Sequence, residues 1–111
     1  MSNPNNPTSL SELLRNLRMR KKISLTLAAA HLRIDIGLLS KMERGERNIS
    51  RKLLPKFAAL YKASERKLVI QFLSEKIVSD LSHEKFGRAA LKKATDEFKY
   101  IPPKKNLSKK R

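Results

Sequence analysis

Cysteine and tryptophan are absent from this 111-residue chain, and it has only three glycines. The lack of cysteine excludes disulfide bonds and thiolate metal sites, and it agrees with a reducing cytosolic compartment. No apolar run approaches the roughly 20 residues that cross a bilayer, and the start of the chain lacks the pattern of a signal peptide. Two isolated histidines, His31 and His83, do not form a usual catalytic or metal-binding cluster. We therefore expect no enzyme activity, cofactor, metal site, small-molecule substrate or membrane association.

Acidic residues are also scarce, with 10 Asp and Glu against 26 Lys and Arg and a formal net charge of +16. A charge excess of this size attracts polyanions, so nucleic acid is the first partner to expect. The excess is uneven, because residues 24–63 contain eight cations against three acids and residues 64–101 contain eight against six. This distribution indicates a basic DNA-reading part and a more neutral packing part.

Apolar periodicity predicts an almost entirely helical chain. We predict a disordered Asn/Pro-rich arm over residues 1–8, a DNA-binding domain over 9–81, a further packing or dimerisation helix over 82–101, and a disordered basic tail over 102–111. Side chains that cap helix N-termini mark the expected helix starts. These residues are Ser9 or Ser11, Ser24, Asp35, Ser64 and Ser82.

Glycine and proline refine two of these boundaries. Gly45 follows the helix that Asp35 is expected to cap, at a position where a left-handed residue commonly ends a helix. Ser50 can cap a fourth helix, but Pro55 does not fit inside its interior. Either a separate turn precedes Pro55, which then lies in the first turn of the helix, or the early part of the helix is distorted.

Two short predicted helices, Leu25–Leu32 and Ile36–Glu43, are separated by a tight turn, as in a helix-turn-helix. Small side chains at Ala28, Ala29 and Ala30 allow the two helices to pack closely. The second helix is then presented as a rod that fits the major groove of DNA. We expect the backbone N–H groups at its N-terminus to face phosphate oxygens.

The segment LRNLRMRKKISLTLAAAHLRIDIGLLSKMERGERNIS resembles the Cro/C1-type (XRE-type) helix-turn-helix of bacterial and phage transcriptional regulators. The resemblance extends over residues 13–68 and includes the PKFAALYKAS segment. It implies an all-α, lambda-repressor-like five-helix DNA-binding domain, here with an additional C-terminal helix. The C-terminal part resembles a bacterial subgroup in which two further helices follow the motif.

The resemblance assigns roles to individual residues. It implies a structural ion pair between Arg18 and Glu43. The base-reading positions it implies are Ile36, Gly37, Ser40 and Lys41, and the phosphate-contacting loop positions are Arg44, Arg47 and Asn48.

This chain departs from the family pattern at four of its positions. Ile36 and Gly37 replace polar base-reading side chains, so specificity is expected to depend on Lys41, Ser40, DNA shape and the spacing set by a dimer. Arg33 replaces a turn glycine, and Leu25 replaces a polar residue that contacts phosphate.

The last two predicted helices carry more apolar residues than one narrow stripe requires. These residues either complete the core between the two helices or form a dimer interface. We predict a homodimer through Val69, Leu73, Ile77, Leu91 and Phe98.

The expected function is a cytoplasmic, sequence-specific regulator that binds double-stranded DNA and acts by occupying an operator. Three alternatives remain open. One is an antitoxin-type autoregulator that binds a partner protein, another is a protein-bridging adaptor like the coactivators that share this fold, and the third is an RNA-binding protein.

Overall fold

The computed structural model describes residues 8–103, and all regular secondary structure in that range is helical. This confirms the predicted all-α fold class. None of the helices in the described part is long and apolar enough to cross a membrane. The predicted arm and basic tail fall almost entirely on residues 1–7 and 104–111, outside the described residues. The helices are α1 (Leu10–Arg20), α2 (Leu25–Leu32), α3 (Ile36–Glu43), α4 (Leu54–Tyr61), α5 (Glu65–Leu81) and α6 (Gly87–Phe98).

Serine hydroxyls begin three of these helices at the predicted positions. Ser9 Oγ accepts a hydrogen bond from the Glu12 N–H at 3.1 Å, and the Glu12 carboxylate accepts the Ser9 N–H at 3.4 Å, which completes a capping box. Ser24 Oγ accepts the N–H of Leu27 at 3.1 Å, and Ser64 Oγ accepts that of Lys67 at 3.2 Å. The local sequence therefore determines where α1, α2 and α5 start.

Pro55 separates a short turn from the helix that follows it. Residues Arg51–Leu53 form a 3-10 turn in which Ser50 Oγ accepts the Lys52 N–H at 3.3 Å. Helix α4 then begins at Leu54 with Pro55 in its first turn, where a missing N–H costs no intrahelical hydrogen bond. Of the two arrangements that the sequence left open, the structure shows the separate turn.

The chain divides into two compact units, with the boundary inside α5 between Lys76 and Ile77. The first unit contains a single apolar core to which α1 to α4 and the start of α5 all contribute. The aromatic rings of Phe57 and Tyr61 lie at its centre with their centroids 5.8 Å apart. Its buried residues are Leu10, Leu14, Ala28, Ala29, Leu32, Leu39, Met42, Ile49, Leu54, Phe57, Ala58, Tyr61 and Leu68.

A carboxylate from α5 binds the N-terminus of α1. The backbone N–H of Leu10 donates to Glu75 Oε2 at 2.6 Å, and the side-chain amide of Gln71 donates to the same oxygen at 2.6 Å. A negative charge at a helix N-terminus is favoured by the helix dipole, and a hydrogen bond to an ionised acceptor is stronger than a neutral one. This contact ties α5 to the first helix of the same unit.

In the second unit, α6 begins at Gly87 and not directly after Ser82 as predicted. Ser82 still belongs to the end of α5, because its N–H donates to the Val78 carbonyl at 2.8 Å. The chain then turns so tightly that a Cβ on Gly87 would lie 2.2 Å from the Leu81 carbonyl oxygen. The start of α6 is therefore set by a close backbone approach that only glycine permits. Its end at Phe98 is three residues before the predicted end at about Ile101.

Candidate nucleic-acid interface

Helices α2 and α3 are joined by a turn whose geometry is fixed by Arg33. Arg33 adopts the left-handed conformation with φ of 58°, and the N–H of Ile34 donates to the Ala29 carbonyl at 3.1 Å. The pattern is a Schellman-type helix end, which usually has glycine at this position. Ala28 and Ala29 are buried beneath α3, whereas Ala30, which was predicted to join them, is exposed.

The N-terminus of α3 is capped by its own side chain. Asp35 Oδ2 accepts the N–H of Gly37 at 2.8 Å and that of Leu38 at 3.3 Å. The prediction that these backbone groups are free to receive phosphate is therefore wrong, because Asp35 already uses them and adds a negative charge there. The N–H groups of Gly37 and Leu38 are therefore not available to a ligand while Asp35 holds this position.

The four predicted base-reading residues occupy one face of α3. Ile36 is 44% exposed, Lys41 is exposed, and Gly37 and Ser40 are partly exposed. The opposite face is buried in the core through Leu39, Met42 and Glu43. The periodicity of α3 thus separates a face that packs from a face that is open to a ligand.

Arg18 and Glu43 form a buried, two-point ion pair between α1 and α3. Arg18 Nε donates to Glu43 Oε2 at 2.7 Å and Nη2 donates to Oε1 at 3.0 Å, while Nη1 donates to the Ile23 carbonyl at 2.9 Å. The Arg18 side chain is 12% exposed and the Glu43 side chain 5% exposed. The hydrogen bond to Glu43 raises the pKa of Arg18 above its usual value. The last residue of α3 is consequently fixed against α1.

A second Schellman turn ends α3. The N–H of Gly45 donates to the Met42 carbonyl at 3.1 Å and that of Glu46 donates to the Lys41 carbonyl at 2.8 Å. Gly45 has a φ of 77°, the left-handed conformation expected from the sequence. This turn reverses the chain and returns Glu46 to the side of Arg44.

Arg44 makes contacts that the sequence reading missed. Its Nε donates to Glu46 Oε2 at 2.9 Å, its Nη2 donates to Glu46 Oε1 at 3.1 Å, and its Nη1 donates to Ser40 Oγ. The bond from Arg44 lowers the pKa of the Glu46 carboxyl, and the charge of Lys41 lowers it further. The sequence signal for this contact is the order Arg44, Gly45, Glu46, because a left-handed glycine between an arginine and an acid brings the two side chains together. Arg47 and Asn48, the other predicted loop residues, are exposed.

The residues predicted for dimerisation differ in their surroundings. Val69 is partly buried and packs against the core of the first unit, whereas Leu73 is 41% exposed. In the second unit, Ile77 and Leu91 line a cavity of about 310 Å³, and Phe98 is 68% exposed. Val69 therefore belongs to the core of the first unit, while the interface through the exposed residues of the set stays a prediction.

The exposed polar surface of α6 is organised as ion pairs. Lys92 Nζ lies 3.7 Å from Asp96 Oδ2, and Lys93 Nζ lies 2.8 Å from Glu97 Oε2. Both pairs are spaced by one helical turn, which favours the helix modestly. Helix α6 therefore has a charged side in addition to the apolar side chains of Leu91 and Phe98.

Within residues 8–103, no group of three His, Asp or Glu side chains is placed to hold a metal ion. His31 and His83 are both exposed.

Comparison with known proteins gives one match. A family model described as a helix-turn-helix domain matches residues 9–68, more than half of the chain. The matched range begins at the capping residue of α1, ends within α5, and contains every residue of the predicted DNA-contacting set. It agrees with the lambda-repressor-like fold expected from the sequence, to which α6 is added. No curated protein and no solved structure matches the chain.

Proposed function

The chain belongs to the helix-turn-helix domain family, and we propose that it is a sequence-specific, double-stranded DNA-binding transcriptional regulator of the Cro/C1 (XRE) type. The observation that carries this proposal is the two-sided α3, whose inner face is fixed to α1 and the core while Ile36 and Lys41 on its outer face are exposed. The net charge of +16 supplies the attraction to a polyanion.

In the proposed complex, α3 lies in the major groove. An α-helix with its side chains is about 10–12 Å in diameter, which fits the roughly 12 Å width of that groove. Lys41 donates to guanine acceptors and Ile36 contacts thymine methyl groups, while Arg47 and Asn48 bind phosphates and hold the register. The chain then regulates transcription by occupying its operator in the cytoplasm.

A comparison of Lys41→Ala with Lys110→Ala tests the proposal, because both variants lose one positive charge. The probes are the tightest duplex recovered by in vitro selection from a random pool and a random-sequence duplex. We expect Lys41→Ala to lose about 1–3 kcal/mol of binding free energy on the selected duplex, and Lys110→Ala to weaken both duplexes about equally. Equal losses for both variants on both duplexes, or no duplex binding by the wild type, would contradict the proposal.

We also propose that the regulator is a homodimer, because a single short reading helix contacts only one half-site. Ile77, Leu91 and Phe98 of the second unit present large exposed apolar side chains that a second copy would cover. Sedimentation equilibrium distinguishes a 12.7 kDa monomer from a dimer of twice that mass. A monomer that dimerises neither alone nor on DNA would contradict this part. A stable complex with a different small protein would favour the antitoxin alternative.

A further inference from the structure

Glu46 places a negative charge among the cations of the candidate interface. The turn at Gly45 fixes this position, since the Glu46 N–H donates to the Lys41 carbonyl at 2.8 Å. The carboxylate then receives two hydrogen bonds from Arg44, at 2.9 and 3.1 Å. Ser40 Oγ accepts a further bond from the same guanidinium. Arg44 is therefore held from both sides in the free protein.

The edge of Arg44 that faces Glu46 is the one that usually binds phosphate. Nε and one Nη form the fork that recognises a carboxylate or a phosphate at two points. A DNA phosphate must therefore either displace Glu46 from this edge or bind the outer Nη groups close to its carboxylate. Both routes are less favourable than binding to an unpaired arginine.

Glu46 also affects Lys41, the main predicted base-reading cation. Lys41 is close enough for its charge to lower the pKa of the Glu46 carboxyl. By the same interaction, the carboxylate reduces the positive field around Lys41. One acid thus weakens the field of two cations that face DNA.

We propose that Glu46 is a specificity-determining residue, which lowers affinity for DNA of any sequence by holding Arg44; this inference rests on the DNA-binding function proposed above. Binding to random DNA depends almost entirely on phosphate contacts. The full penalty from Glu46 therefore applies to the affinity for random DNA. At the correct site, α3 is docked in one position and Arg44 meets one phosphate. There, Glu46 and Ser40 also orient the guanidinium, which offsets part of the loss.

The test compares Glu46→Gln with Glu65→Gln, a matched loss of one exposed negative charge in the first turn of α5. Binding to the random-sequence duplex and to the selected duplex is measured by fluorescence anisotropy over a range of salt concentrations. We expect Glu46→Gln to bind the random duplex about two- to fivefold more tightly than Glu65→Gln, the size of one exposed charge pair. The salt slope should steepen by up to about 0.9, which corresponds to one more phosphate contact. The selected duplex should gain by a smaller factor, so the ratio of the two affinities falls.

The gain must also depend on Arg44. In an Arg44→Gln background, adding Glu46→Gln should increase binding to the random duplex by a smaller factor than it does when Arg44 is present, because only its effect on the field around Lys41 remains. The inference is overturned if Glu46→Gln binds the random duplex as Glu65→Gln does or more weakly, if both duplexes gain by the same factor, or if the gain is as large without Arg44 as with it. If the wild type and all variants bind neither duplex, the proposed function fails and this inference fails with it. Binding by the wild type with no effect at Glu46 rejects the inference alone.

Discussion

The Arg18–Glu43 pair provides the sharpest test of how this fold is held together. Replacing Arg18 with Met keeps most of the side-chain volume but leaves the Glu43 carboxylate, only 5% exposed, without its cation. It also removes the bond from Arg18 Nη1 to the Ile23 carbonyl. Breaking one partner of a buried pair costs about 3–5 kcal/mol, because an uncompensated charge stays buried.

We expect the lower end of that range, about 3 kcal/mol, because Arg18 keeps some contact with water at 12% side-chain exposure. A domain of this size loses about 4–8 °C in Tm for each kcal/mol, so the melting temperature should fall by about 10–25 °C. Far-UV circular dichroism during thermal and urea unfolding measures both quantities. Arg15→Met is the matched control, since Arg15 is exposed on the same helix and its replacement should change stability by less than about 0.5 kcal/mol.

Two further variants separate charge from geometry. Arg18→Lys keeps the charge but lacks the planar fork, so it should recover only part of the loss. The double variant Arg18→Met, Glu43→Leu removes both charges and should be no less stable than Arg18→Met alone. The reasoning is refuted if the unfolding free energy of Arg18→Met lies within about 1 kcal/mol of that of Arg15→Met. It is also refuted if the losses of Arg18→Met and Glu43→Leu, measured singly, simply add in the double variant.

Two other predictions concern a buried phenol and a tight turn. Burial raises the pKa of Tyr61 from 10.0 to about 12. The protonated phenol therefore contributes fully to the free energy of unfolding below pH 10, and up to about 3 kcal/mol of that free energy is lost as the pH rises to about 12. Tyr61→Phe should abolish that part of the alkaline loss in urea unfolding, and at neutral pH it should not destabilise the protein; an unchanged alkaline loss contradicts this. Gly87→Ala should cost the second unit about 1–3 kcal/mol, since the new Cβ would meet the Leu81 carbonyl at 2.2 Å. Trypsin should then cleave α6 faster, whereas Gly37→Ala, whose nearest obstacle is the movable Asp35 side chain, should leave that rate unchanged.

The predictions that succeeded are those in which the chemistry is local. A serine or aspartate can cap a helix only through N–H groups two or three residues ahead, so Ser9, Ser24 and Asp35 determine helix starts without reference to the rest of the fold. Pro55 acts through its own missing N–H in the same way. The open face of α3 follows from helical periodicity alone.

The features that were missed depend on distances that local patterns do not encode. The start of α6 follows from the approach of Gly87 to the Leu81 backbone, and Ser82 looked like a cap only because serine often is one. The bond from Leu10 to Glu75 joins residues 65 positions apart. The predicted approach of phosphate to the N-terminus of α3 is wrong for a local reason, because the capping residue Asp35 itself occupies the N–H groups of Gly37 and Leu38.

The residues from Glu43 to Glu46 join the stability of the fold to the charge of the interface. Glu43 points inward to Arg18, Arg44 points outward, and Gly45 returns Glu46 to the side of Arg44. Because these residues follow one another at the end of α3, a change that distorts this segment can affect both the α1–α3 pair and the placement of the charges of Arg44 and Glu46. Glu46 is exposed and its side chain is not part of the core, so we expect its replacement to change the charge of the interface and to release Arg44 with little effect on stability. Altered DNA binding after mutation in this segment or of its partner Arg18 therefore reports on recognition only when unfolding stability is unchanged, a condition that we expect Glu46→Gln to meet and Arg18→Met to fail.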